Sequence, residues 1–573
     1  MTSCVNDLKV ESIDPNSSST VDLNSLFVKV YATLGLTGQK GPDGSGDVAG
    51  VDEGTSSLYR MSYELQEFPA DQIFWIWPDV GVDDVRKMKW TASNTLVKGL
   101  YARLYFDITL CNLFLDKFGD ESDAATKADA QQQAEVRFIR ALNYWYLLDM
   151  FGNVPFVTKS GLTELPDQIE RPDLYKWLVA ELKDIEGKLA PAGNRPSYYR
   201  VDQAAAWMLL SRIGLNAGVY GVNRDGKQQL EDLNKEYTMA AEYAAKVINT
   251  PAYKLASHYQ YLFMSDNDNL GGSNDAFNEI VLPICQDGQM TQSWGGSLFL
   301  IASCYTDGMA AHGSTEAWKC IRSRAQLVGL FINEQKYRSP IADEITTEEK
   351  AKSVYGAYWG NQEDIIKATG DERACFVNST KDGSNKFVCQ FWKTNKSDDF
   401  LSGWGITKFL NLPADPTRVT SDSKHPDMDI PLMRVAEAYL NYAEAVLRGG
   451  AMVGSLTADE AVNIVRRRSI SDPEQANVTG WNITDKVGVV NGKNILDERG
   501  RELYSEGIRR SDLIRFGVFT GSSSATGYRW EFKAGELLGI KCEPEDYRIL
   551  YPLPLSEVTA NSKLKQNKGY EVQ

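Results

Sequence analysis

The sequence predicts a mainly α-helical protein in which paired helices form a scaffold and an irregular region of loops and short strands carries the ligand site. Three observations predict it. Four long stretches carry apolar residues at alternating spacings of three and four, the pattern of a helix with one buried face. Shorter alanine-rich stretches accompany them. Between them, residues 255–430 are rich in Gly, Asn, Asp and Ser and poor in helical period.

The first stripe, over 131–151, runs Ala134, Phe138, Ala141, Trp145, Leu148 and stops at Gly152 with Pro155 just beyond. The second, over 172–189, runs Leu174, Leu178, Leu182, Ile185, Leu189, with Pro172 suited to the first turn. The third, over 203–217, runs Ala206, Leu209, Leu210, Ile213, Ala217 before Gly218. The fourth, over 432–447, runs Leu432, Val435, Ala436, Tyr439, Ala443 before Gly449 and Gly450. A shorter helix at 458–468 turns Ala461, Val462 and Val465 inward, so 432–468 reads as an antiparallel pair, and 239–248 has the same small-residue texture. Small contact residues in pairs of about 34 residues resemble tetratricopeptide repeats. The scaffold therefore spans about 96–250 and 430–520, and the loop-rich binding region about 40–92 and 255–430. Turn clusters at Asp266-Asn267-Asp268-Asn269 and Lys381-Asp382-Gly383-Ser384-Asn385 mark the latter, where a rigid scaffold would present binding residues.

At 573 residues the chain can bury a large core, and no window reaches the roughly 18 to 20 apolar residues of a membrane-spanning helix. Lys and Arg number 61 against 77 Asp and Glu, a formal charge of -16. Such a surface disfavours nucleic acid, anionic headgroups and heavily sulfated glycans. The eight cysteines form no C-x-x-C pair and the three histidines are isolated, so no zinc site is expected. Asp43-Gly44-Ser45-Gly46-Asp47 offers oxygens for a structural calcium but lacks the glutamate of an EF-hand loop, which favours a polar turn. No cofactor is required.

Among 13 tryptophans, several lie in polar, glycine-rich stretches where a core element is not expected. A pyranose has an apolar C–H face and a rim of hydroxyls, so a flat indole stacks on it while Asp, Arg or Asn bonds the rim. The sequence contains no G-x-S-x-G, H-E-x-x-H, P-loop or G-x-G-x-x-G followed by a helix. A glycoside hydrolase stays open, because its two carboxylates need no fixed spacing. A helical-repeat adaptor for protein partners is the other alternative.

Met1-Thr2-Ser3-Cys4 and the polar run to Thr20 admit two readings, a lipid-modified cysteine with a flexible tether over 1–22 or an ordinary cysteine near a frayed terminus. On the first, a hydrophobic signal has been cut away or is not part of this chain. The remaining residues, 23–573, form one domain.

Several segments together resemble the SusD/RagB family. Ala134–Leu142 running on to Phe151-Gly152-Asn153-Val154-Pro155, Leu432–Ala445, Glu498–Leu503 with Glu506–Gly517, and Tyr551-Pro552-Leu553-Pro554 with Gln566–Tyr570 follow the family's motifs in order over nearly the whole chain. The resemblance implies a SusD-like fold without enzymatic activity. It also implies a lipoprotein anchored through Cys4 on the outer face of the outer membrane. Such a protein captures an oligo- or polysaccharide for a SusC-like TonB-dependent transporter and does not bind nucleic acid. The arginines and carboxylates of 498–515 are expected to form i,i+3 or i,i+4 pairs or buried clamps between helices and not a site.

Val30–Gly41 with Val51–Gly54, and Pro283–Gly288 leading to Trp294–Ser297, resemble the starch-binding branch more narrowly, which favours a neutral α-glucan such as starch or dextran. By that resemblance the glycan platform is Trp75, Trp294 and Trp318, with Arg60 and Asp52 as polar contacts. One departure is that Trp77-Pro78-Asp79-Val80 lacks the branch's amide. Gly295 and Gly296 are expected to leave the Trp294 ring uncovered, and Trp318 follows the polar loop 312–316. In Phe74-Trp75-Ile76-Trp77, alternation is expected to turn one tryptophan inward. The alternative for each ring is closure of a loop against the core. Three platforms at about 1 kcal/mol each suit micromolar to millimolar capture and release.

Overall fold

The computed structural model describes residues 21–42, 44–122, 126–194, 198–268, 272–306, 308–332, 347–379, 403–520, 528–530, 532–535 and 545–571. Cys4, Asp43, Asn269 and the turn cluster 381–385 lie outside the described residues.

The described chain is mainly helical, and each predicted helix is present. Ala130–Met150 opens on a capping box between Asp129 and Gln132. Arg171–Ile185 has proline in its first turn, and Gln203–Leu215 is capped by the Asp202 carboxylate on two backbone N–H groups. The 239–248 segment is the second half of Leu233–Ile248. Two long elements escaped periodicity: Leu58–Glu67, buried along its whole length, and Thr95–Phe118, whose apolar residues surround more than one face.

The expected 432–447 helix begins three residues later, at Val435. Ile430–Arg434 is a strand paired antiparallel with Ile280–Ile284, because a fully buried run satisfies its backbone across a ladder. Three further two-stranded ladders pair Ile73–Trp75 with Ile321–Ser323, Val154–Pro155 with Gln168–Ile169, and Phe376–Val377 with Gly405–Ile406.

Gln203–Leu215 lies on Leu233–Ile248, which lies on Val435–Leu447, which pairs with Ala458–Ser469. The scaffold is thus assembled from segments about two hundred residues apart in sequence. Alanines 240, 241, 244, 436 and 443 are fully buried along these contacts. A Cβ at Gly214 would fall 2.9 Å from the Glu236 carbonyl oxygen, so only glycine permits that helix approach.

Buried clamps tie the distant segments together. Arg212 grips Glu437 through two nitrogens, Arg515 grips Glu444 in the same way, and Arg509 grips Asp71 at 2.7 and 2.8 Å. Glu498 receives Arg373, Arg466 and Arg501, while Glu502 receives Arg373, Arg434 and Arg468. Burial acts to raise Glu502, but its three guanidiniums outweigh it and hold the carboxyl down at about 2. The arginine-rich motif is therefore structural. No helix among the described residues is long and apolar enough to cross a membrane.

Candidate functional site

On the loop-rich side, a cleft of about 990 Å³ is lined by all five expected residues, Asp52, Arg60, Trp75, Trp294 and Trp318, together with Trp77, Asp79 and Glu316. The strand Ile73–Trp75 carries one of them, Trp75. Its partner Ile321–Ser323 places Trp75 opposite Ile321, and the Ile76 N–H donates to the Cys320 carbonyl at 2.9 Å. The two segments leaving this end of the ladder carry Trp77 and Trp318.

Trp75 is not an exposed platform. It is 1% exposed, its ring held 5.3 Å from that of Phe68 and 5.8 Å from that of Phe299, and its indole N–H donates to Asp79 at 3.0 Å. Trp77, 38% exposed, is the ring that reaches solvent, lying edge-on to Trp75 at 6.3 Å. Alternation alone does not separate them, since residues two apart share one face of a strand. Depth separates them: the strand ends at Trp75 over the core, and the chain turns outward through Pro78.

Trp294 and Trp318 are both half-buried, with ring centroids 6.0 Å apart and planes inclined by 41°. The Trp294 indole N–H donates to the Pro42 carbonyl at 3.1 Å, and that of Trp318 donates to Glu316 at 3.0 Å. These bonds anchor one edge of each ring. The glycines after Trp294 do not serve to uncover it, contrary to expectation. A Cβ at Gly295 would stand 2.3 Å from Ser57 Oγ, and one at Gly296 would stand 2.1 Å from Gln286 Oε1. They let the loop sit against its neighbours.

Arg60 is a strut more than a free contact. It is buried, donates to Glu64 at 2.9 Å and to the Gly54 carbonyl at 3.1 Å, and its guanidinium lies 4.7 Å from the Phe299 ring and 5.9 Å from that of Trp318. Burial raises Glu64 against the pull of Arg60. Burial also raises Asp79, opposed by Arg60 and the Trp75 N–H and reinforced by Asp52. Asp52 stands exposed on the rim.

Sequence reasoning missed a third support, residues 421–427. Ser314 Oγ donates to the Lys424 carbonyl at 2.7 Å and the Thr315 N–H to that of Ser423 at 2.8 Å, fastening the Trp318 loop. Gly288 N–H donates to Asp427 at 2.8 Å and Gln289 Nε2 to the Ser421 carbonyl at 3.0 Å, fastening the Trp294 loop. Asp422 holds the turn by accepting from the N–H groups of Lys424 and His425. An Asp-x-x turn was legible here, but it carries no aromatic ring to draw attention.

The turn at 44–47 puts Asp47 on Lys29 and Arg103, at 2.5 and 3.4 Å. Among the described residues no group of three or more His, Cys, Asp or Glu is arranged to hold a metal ion.

Residues 278–570 match the SusD family, and residues 47–215 match a family described as starch-binding and associating with the outer membrane. The chain is 38% identical to the starch-binding protein SusD of Bacteroides thetaiotaomicron over 579 residues, covering 100% of this chain and 96% of that one. It is 24% identical to the SusD-like protein P25 of Formosa agariphila, over 85% and 82% of the two chains. Among solved structures, surface glycan-binding protein A from Bacteroides fluxus superposes with a TM-score of 0.62 at 18% identity, over 96% of this chain and 99% of that one. Surface glycan-binding protein A from B. thetaiotaomicron in complex with laminarihexaose does so with 0.58 at 19%, over 95% and 98%. Three of these four relatives are named for binding and none for catalysis. With sequence identity running the full length, and the same fold around the cleft, the chain belongs to the SusD family.

Proposed function

We propose that this protein captures a neutral glucan at the bacterial surface, stacking sugar rings on Trp294, Trp318 and Trp77 and bonding their hydroxyls from Asp52 and neighbouring polar groups on the rim. The observation that carries the proposal is the pair of half-buried indoles inclined by 41° at the mouth of the cleft. Inclined platforms follow a chain whose successive rings turn, as in an α-linked glucan, better than a flat ribbon. The full-length likeness to a starch-binding relative supports the same ligand. Cleft carboxylates support binding over hydrolysis: Glu64 is paired with Arg60, while Asp79 and Glu316 accept from indole N–H groups.

The wider proposal is that Cys4 carries the lipid, holding the protein on the outer face of the outer membrane, and that the glycan passes to a SusC-like TonB-dependent transporter. Many copies on one surface would raise the capture of a long polysaccharide above the modest affinity of one cleft. Affinity electrophoresis and calorimetry against starch, dextran, xyloglucan, mixed-linkage β-glucan and mannan test the ligand, with W294A and W318A alongside. Loss of one neutral glucan on both substitutions, with melting unchanged, supports the reading. Retention of binding by both variants would overturn it, as would release of reducing ends by the pure protein.

A further inference from the structure

Lys424 lies at the junction of the two platform rings. Its ammonium sits 4.1 Å from the centroid of the Trp294 ring, and the same nitrogen is 3.5 Å from Glu316 Oε1. The other oxygen of Glu316 accepts the Trp318 indole N–H. A continuous chain of contacts therefore runs from the Trp294 face through Lys424 and Glu316 to the edge of Trp318. The backbone of Lys424 is fixed by the Ser314 hydroxyl and by Asp422, so its side chain starts from a rigid point. The Lys424 and Glu316 side chains are 36% and 28% exposed, so the bridge is open to solvent and to salt.

The Trp294 and Trp318 loops share backbone support from 421–427 and are further tethered to different neighbours, Pro42 and Ser57 for one, His312 and Asn411 for the other. The Lys424–Glu316 bridge is a side-chain link that couples the rings to each other. We propose that Lys424 is a specificity-determining positioning residue: through Glu316 it sets the inclination between Trp294 and Trp318, and so favours glucans whose rings turn over those whose rings lie flat. This rests on the platform reading given above.

The test measures two probes, maltoheptaose for a turning chain and cellohexaose for a flat one, by calorimetry on wild type, K424A, K424M, K424R and E316Q. W294A and W318A are measured in parallel. Removing a half-exposed cation–π contact and its ion pair is expected to weaken maltoheptaose binding about three- to fivefold. Cellohexaose is expected to change less than about twofold, so the selectivity ratio falls. K424R should restore the ratio, and E316Q, which keeps an acceptor for the Trp318 N–H, should fall with K424A. High salt should move wild type toward K424A and leave K424A unchanged. The proposal is overturned if K424A and K424M keep the wild-type ratio, whether both affinities stay the same or fall equally. If W294A and W318A also bind both probes, the platform reading fails with it; if they lose binding while K424A keeps its ratio, only the role of Lys424 fails.

Discussion

Ser57 Oγ donates a 3.0 Å hydrogen bond to the Gly295 carbonyl, joining residues 238 positions apart. The same hydroxyl caps the Leu58–Glu67 helix by accepting from the Arg60 N–H at 3.2 Å. One side chain thus starts the helix that positions Arg60 and seats the loop that carries Trp294. A methyl at Gly295 would press directly on that oxygen. Gly295→Ala is expected to cost about 1–3 kcal/mol of stability and to abolish glucan binding while the protein still folds. Urea unfolding and affinity electrophoresis of the variant check both halves.

The two neighbouring tryptophans should respond in opposite ways. Trp75→Ala removes a ring enclosed by Phe68 and Phe299, and a loss of about 3–5 kcal/mol is expected. Trp77→Ala trims a ring already 38% exposed, so its melting temperature should stay close to wild type while glucan affinity falls. Equal stability of the two variants would contradict the assignment of Trp75 to the core.

Glu67 supplies a stability change with a definite sign. Burial pushes its carboxyl from 4.5 up to about 7, against the pull of the Gly507 and Ile508 N–H groups and of Arg509, and its second oxygen has no hydrogen-bond partner among the described residues. A carboxyl raised in the folded state contributes stability that is present below the unfolded pKa and is lost as pH rises through the folded one. Glu67→Gln keeps an acceptor without the charge. The variant should match wild type below about pH 4.5 and exceed it by about 1–3 kcal/mol at pH 8. Denaturant titrations at the two pH values make the comparison.

The arginine clamps have the opposite sign. Held at about 2 by Arg468, Arg434 and Arg373 in spite of burial, Glu502 contributes stability that is full above pH 4.5 and declines as pH falls toward 2. Glu444 and Glu506 are lowered in the same way, arginines outweighing burial for the first and Arg434 with the Lys408 ammonium for the second. Stability should therefore fall across this acid window. Glu498→Gln leaves Arg373, Arg466 and Arg501 facing one another without their shared anion, and a loss of about 3–5 kcal/mol is expected at neutral pH. Calorimetric melting from pH 7 to 3 measures both effects.

Sequence alone determined the parts of this protein whose causes are local. Helices such as Ala130–Met150 and Ala458–Ser469 follow from apolar spacing, a capping side chain and a terminating residue, all within a few positions of one another. Ordered motifs from 134 to 570 were enough to point to the family, and the resemblance was what singled out Trp294 and Trp318 as candidate platforms. Tertiary structure alone decided which side chains reach solvent. Trp75 and Trp77 have nearly the same local context, and only the rings of Phe68 and Phe299, one of them more than two hundred residues away, bury the first. Lys424 likewise enters the site because its loop is bonded to 288–289 and 314–315, and no local pattern encodes a contact of that separation. Periodicity reports which face of an element is apolar, whereas the exposure of a particular ring depends on what distant segments bring against it.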